Sequence, residues 1–140
     1  MTPPVAFAPP SELLALLRKA RSGQILVAGL YSSDRCPWCV AVKKEQLLPR
    51  MRAAMAPTLR IVEFNADSNA VFTLPDRSKK TARQWAAQFG FRVMPTLALL
   101  NETASPIGEP LIGYASPDFY AAYLEDRIKA AQTYWQTLRS

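Results

Sequence analysis

The sequence predicts an α/β fold with a mixed central sheet flanked by helices on both faces. Three observations predict it. Apolar runs of strand length alternate with segments of helical period along the 140 residues. A strand-to-helix junction carries Cys36-Pro37-Trp38-Cys39. A late apolar run entered through Pro95 is followed by a second short run, which reads as an antiparallel hairpin.

The elements follow in order. Residues 1–10, with Pro3, Pro4, Pro9 and Pro10, read as an extended, poorly ordered leader to a single domain over 11–140. Ser11 is the expected N-cap of a first helix and Gly23 its C′ residue, with Leu13, Leu14, Leu16, Leu17 and Ala20 as the apolar stripe. Residues 24–31 read as a buried strand. A helix is expected after the cysteines over residues 40–55, with Val40, Leu47, Leu48 and Met51 facing the core and Pro49 interrupting it. Residues 58–65 alternate as a second strand, with Leu59, Ile61 and Phe64 inward.

Residues 66–80 read as a surface excursion with at most a short helical turn. Thr81 to Gln84 spells a capping box, and Gly90 closes that helix. Residues 91–100 form the proline-entered strand, and residues 109–113 its hairpin partner. Ser116-Pro117-Asp118 opens a last helix whose stripe is Tyr120, Leu124, Ile128, Ala131, Trp135 and Leu138. The order is therefore helix, strand, helix, strand, helix, strand, strand, helix.

Composition narrows the function classes. The net charge is +6, yet the basic residues are scattered and not interleaved with aromatics, so they read as solvated faces and not as a nucleic-acid platform. No apolar stretch is long enough to cross a bilayer. Met1-Thr2-Pro3-Pro4 lacks the basic start and apolar core of a signal peptide.

The chain holds two cysteines and no histidine. A structural zinc site wants four such ligands, which argues against a metal. A purely structural disulfide across four residues would restrain little chain entropy. A redox pair fits better. Positions i and i+3 on a first helical turn share a face, so a bond between them needs little backbone movement. Free N–H groups and the helix dipole favour a thiolate on Cys36, and Cys39 is placed to attack a mixed disulfide formed there. Pro37 removes one N–H that could face the sulfur. Trp38 offers an apolar surface, either for a substrate or for a neighbouring loop. Arg35 sets a positive charge beside the nucleophile.

With these residues on view, the sequence resembles the thioredoxin superfamily. The resemblance rests on the apolar strand before CPWC, the helix after it, Phe-Gly-Phe-Arg-Val-Met-Pro-Thr at 89–96, and Leu111-Ile112-Gly113-Tyr114 with Ser116-Pro117-Asp118-Phe119. It covers roughly residues 11 to 138. It is most similar to bacterial periplasmic thioredoxin-like proteins, including the SoxW-like group. The resemblance implies a thioredoxin-like fold and thiol–disulfide chemistry. It also implies a cis-proline at Pro95 facing the cysteines, with the backbone of Met94 pairing with an extended substrate chain. An ordinary trans proline at a strand start is the alternative.

The chain departs from the cytosolic thioredoxins at three places. Its dipeptide is Pro-Trp. Leu30 stands where they carry a buried acid six residues before the first cysteine. Arg35 replaces the tryptophan before that cysteine. The carboxylates of Asp34 and Glu45 read as solvated. These departures speak against a general cytosolic reductant.

The expected protein is a thiol–disulfide oxidoreductase that leans towards reducing protein or small-molecule disulfides, recharged by an upstream thiol redox protein. It calls for no cofactor, no metal and no nucleic acid. Its expected compartment is the periplasm after loss of a targeting segment, with the cytoplasm as the alternative. Its rivals are a dithiol oxidase of the same fold and a non-catalytic binding module.

Overall fold

The computed structural model describes residues 6–140. Its centre is a four-stranded sheet in the order β2-β1-β5-β6, built from β1 (Leu26–Ser32), β2 (Leu59–Asn65), β5 (Thr96–Leu99) and β6 (Leu111–Ile112). β1 and β2 run parallel, with Leu26 opposite Leu59 and Ser32 opposite Asn65. β5 is antiparallel to β1, and β6 to β5. All seven residues of β1 are buried, as a strand covered on both faces requires.

Helix α1 (Leu13–Arg21) follows a 3-10 turn at Pro10–Glu12. Ser11 is therefore not the N-cap. Pro10 fixes a helical φ one residue earlier, and the chain is already turning at Ser11. Gly23 does take the left-handed φ of +90° that ends the helix. The leader expectation falls partly on residues outside those described. At its described end it is corrected: Ala8 is buried, donates its N–H to Ile61 O at 2.8 Å and accepts from Glu63 N at 2.9 Å.

The helix after the first strand comes in three pieces, α2 (Pro37–Val42), a π-helical turn (Lys43–Leu47) and α3 (Leu48–Arg52). Pro49 causes the break. It lacks an N–H for the Glu45 carbonyl and its ring crowds that group, and the wider π-turn accommodates both. The extra residue shifts the apolar stripe. Cys39 and Val42 face the core before it and Leu47 and Met51 after it, while Val40 is exposed and Leu48 half-buried. An unbroken α period run backwards from Leu47 and Met51 would place Val40 inside, and the π-turn is what rotates it outward.

Residues 66–80 hold a short antiparallel hairpin, β3 (Phe72–Thr73) with β4 (Lys79–Lys80), instead of a helical turn. The reversal is closed by Arg77 N to Leu74 O at 2.8 Å, with Arg77 at a φ of +72°. Helix α4 (Ala82–Gln88) opens on the expected capping box: Gln84 N donates to Thr81 Oγ1 at 3.2 Å, and Thr81 N to Gln84 Oε1 at 2.9 Å. Helix α5 (Pro117–Arg139) buries Tyr120, Leu124, Ile128, Ala131 and Trp135, but leaves Leu138 exposed where its last turn runs past the core. Ser116 makes no side-chain cap bond. Among the described residues, no helix is long and apolar enough to cross a membrane.

Candidate active site

β1 delivers the chain to the site. It ends at Ser32, and the loop through Ser33, Asp34 and Arg35 turns into α2 with Cys36 as the N-cap. Cys36 has an extended backbone, φ −99° and ψ 108°, and Pro37 takes the first helical position, where its missing N–H costs nothing. In this setting the Cys36 sulfur does the work of a capping oxygen. It accepts the Cys39 N–H at 3.1 Å. An anion on that sulfur meets the free N–H end of the helix.

The two sulfurs differ sharply in access. Both are free thiols; Cys36 is half-buried and Cys39 fully buried beneath it. Burial pushes the Cys39 thiol up to about 12, and the hydrogen bond to Cys36 acts in the same direction. A backbone hydrogen bond from Ser33 and the charge of Lys43 pull it down.

The loop before β5 closes the site from the opposite side. The Cys36 thiol donates to Met94 O at 3.6 Å, and the Met94–Pro95 peptide bond is cis. Pro95 is buried, and its carbonyl accepts from Gly113 N at 2.7 Å, tying the loop to the end of β6. Residues 58 positions apart thus meet at one sulfur. Around this opening Trp38, Val93 and Ile112 stand 62%, 49% and 66% exposed. Most of the Trp38 side chain is therefore open to solvent.

The remaining named residues are placed as follows. Arg35 is exposed, and its charge acts on Asp67 at the exit of β2. Asp67 accepts from Ser33 Oγ at 2.8 Å and from Asp34 N at 3.0 Å, and its carboxyl is held below its ordinary range, mainly by the Ser33 hydroxyl. Asp34 accepts from Asn65 Nδ2 at 3.1 Å, and Glu45 from Tyr114 Oη at 2.7 Å. Leu30 is fully buried.

Sequence reasoning passed over one cluster. Glu63, on β2 opposite Leu30, accepts the Ser32 hydroxyl at 2.6 Å and is ion-paired with Lys43. The available signal was the spacing of Lys43 from Cys39, four residues along one helix.

The comparisons with known proteins agree with this architecture. A family profile described as a thioredoxin-like domain matches residues 15–128. Among proteins of curated function, none matches the chain. Solved structures do match it. A thioredoxin-fold protein from Helicobacter pylori is 18% identical with a TM-score of 0.57, over 83% of this chain and 87% of that one. The C-terminal domain of Neisseria meningitidis DsbD, in its oxidised form, is 17% identical with a TM-score of 0.57, over 88% and 99%. Thioredoxin O2 from Arabidopsis thaliana, in its oxidised state, is 13% identical with a TM-score of 0.52, over 88% and 91%. With a profile match over most of its length, a mixed sheet of this order and two cysteines three residues apart at a helix start, the chain belongs to the thioredoxin-like domain family.

Proposed function

We propose that this protein is a thiol–disulfide oxidoreductase that reduces disulfides through Cys36 and Cys39. One observation carries the reading. An accessible sulfur caps a helix N-terminus at 3.1 Å from the Cys39 N–H, with a second sulfur sealed directly behind it. Cys36, as thiolate, attacks a client disulfide: the client S–S bond breaks, one client sulfur leaves and takes up a proton, and the other stays bonded to Cys36 as a mixed disulfide. Cys39 then attacks Cys36. The Cys36–Cys39 bond forms, the Cys36–client bond breaks, and the client sulfur leaves as a thiol after taking up a proton.

Met94, Pro95 and Trp38 form the client-facing rim in this reading. The Met94 carbonyl lies beside the Cys36 sulfur, where an extended client chain would run. Pro37 and Arg35 tune the thiols from the helix start and the preceding loop. Reduction is the favoured direction and the periplasm the favoured compartment, with an upstream thiol protein as donor. Both rest on the sequence resemblance to periplasmic thioredoxin-like proteins, the SoxW-like group among them.

The test is exchange with a protein disulfide. Cys36→Ser is expected to lose turnover, and Cys39→Ser to accumulate mixed disulfides with clients. Retained turnover in Cys36→Ser would overturn the assignment of the nucleophile. The equilibrium potential of the pair against glutathione sets the direction: a value near the DsbA end of the scale, about −120 mV, would make the protein an oxidase.

A further inference from the structure

Resolution meets an obstacle at Cys39. Its sulfur is sealed from water, and that burial pushes its thiol above the ordinary cysteine range. Only the thiolate attacks a disulfide. A charge held nearby is the means of favouring that anion without opening the site to solvent.

The geometry offers one such charge. Lys43 lies one turn beyond Cys39 and donates its N–H to the Cys39 carbonyl, so the two side chains leave the same face of the helix. The Lys43 ammonium is restrained. It is ion-paired with Glu63 and sits 5.5 Å from the centroid of the Phe7 ring. Glu63 is itself fixed by the Ser32 hydroxyl at 2.6 Å. The side chains of Lys43 and Glu63 are only 19% and 22% exposed, so their charges act through a medium less screening than water. Glu63 also lines a cavity of about 430 Å³ with Phe7, Ala8 and Asn65.

Resting on the oxidoreductase reading above, we propose that Lys43, anchored by Glu63, is the positioning charge that stabilises the Cys39 thiolate during attack on the mixed disulfide. The Cys39 thiol first gives up its proton. The thiolate displaces the client sulfur from Cys36, and that sulfur takes a proton back. The client gains two electrons and the dithiol loses two.

Among the described residues other titratable groups also bear on this unit, and the Cys36 thiol works against the Cys39 anion. Cys36 lies on the same helix. Asp67 reaches the site through the Ser33 hydroxyl, with Asp34 and Arg35 beside it.

The pair predicts shifts of opposite sign. Lys43→Met removes the cation and leaves the Glu63 carboxylate unneutralised, and both changes disfavour the Cys39 thiolate. Glu63→Gln keeps an acceptor for Ser32 but frees the Lys43 charge, which favours the thiolate. Simple packing damage would slow both variants.

The test follows stopped-flow reaction of the reduced full chain with a chromogenic aromatic disulfide across pH. The first equivalent of aromatic thiol reports attack by Cys36, and the second reports resolution by Cys39. In Lys43→Met the second release is expected to slow about tenfold at neutral pH, its profile moving up by about one unit, with the first release changing less. Glu63→Gln should move that profile down, and Lys43→Arg should keep it. An unmoved profile in Lys43→Met, or a Glu63→Gln profile that moves up with it, overturns the proposal. Should Lys43→Met fail to fold, the Glu63→Gln profile decides alone. Failure of the parent reading looks different: the unmodified protein would then release no second equivalent.

Discussion

The thiol rim and the aromatic wedge beneath β1 are opposite solutions to the placement of large apolar groups. At the rim, Trp38, Val93 and Ile112 stand in solvent around a half-buried sulfur. In the wedge, Phe64 stacks on Trp85 at 4.0 Å, with Phe72 tilted against Phe64 and Phe89 and Phe91 edge-on to Trp85. Gly29 lies under this stack, and Cys36 is seven residues further along the chain. The contrast teaches that stability and chemistry are kept apart, the one at the middle of β1 and the other past its C-terminal end. The wedge excludes water and anchors β1, and the rim stays available because its apolar area is not needed to hold the fold.

Substitutions can break or sharpen that contrast. The largest effect is expected at Trp85, which is fully buried and donates Nε1–H to Ala104 O at 3.1 Å. Trp85→Ala should cost about 3–5 kcal/mol in a denaturant titration. A loss below about 1 kcal/mol would mean that the wedge does not anchor the sheet.

Gly29→Ala comes next. A Cβ there would meet Phe64 Cε2 at 2.8 Å, Trp85 Cη2 at 3.1 Å and Leu100 Cδ1 at 3.2 Å, all packed side-chain atoms. The expected cost is about 1–3 kcal/mol, read from the same titration, and a neutral result would show that the stack can slide.

The smallest stability effect belongs to the rim. Trp38→Ala should change stability by no more than about 0.5 kcal/mol. Its KM for a protein disulfide should rise, while a small aromatic disulfide reacts as before. Equal losses on both substrates would make Trp38 part of the thiol chemistry and not of client contact.

Much of this was legible in the sequence because the signals were local. The strand before Cys36, the Thr81–Gln84 box and the Ser116-Pro117 start each depend on neighbours within a turn. The meeting of Met94 with Cys36 came from the motif at 89–96, whereas hydrophobic periodicity carries no information about contacts 58 residues apart. Three features escaped for physical reasons. The β3–β4 hairpin pairs Phe72 with Lys80 and Thr73 with Lys79, too short and too charged to show alternation. The docking of Ala8 uses backbone groups, to which composition is blind. The Lys43–Glu63 pair joins a helix to a strand, and the spacing of Lys43 from Cys39 says nothing of a partner on β2.

The π-turn ahead of Pro49 has a consequence for anyone regrafting the cysteine dipeptide. The added residue puts the sulfur-bearing turn and the turn that carries Arg50 and Met51 out of phase, so a twist imposed on one is not handed rigidly to the other. Exchanging Pro37-Trp38 for another dipeptide should therefore retune the chemistry while the Arg50–Glu125 tether to α5 keeps its seat.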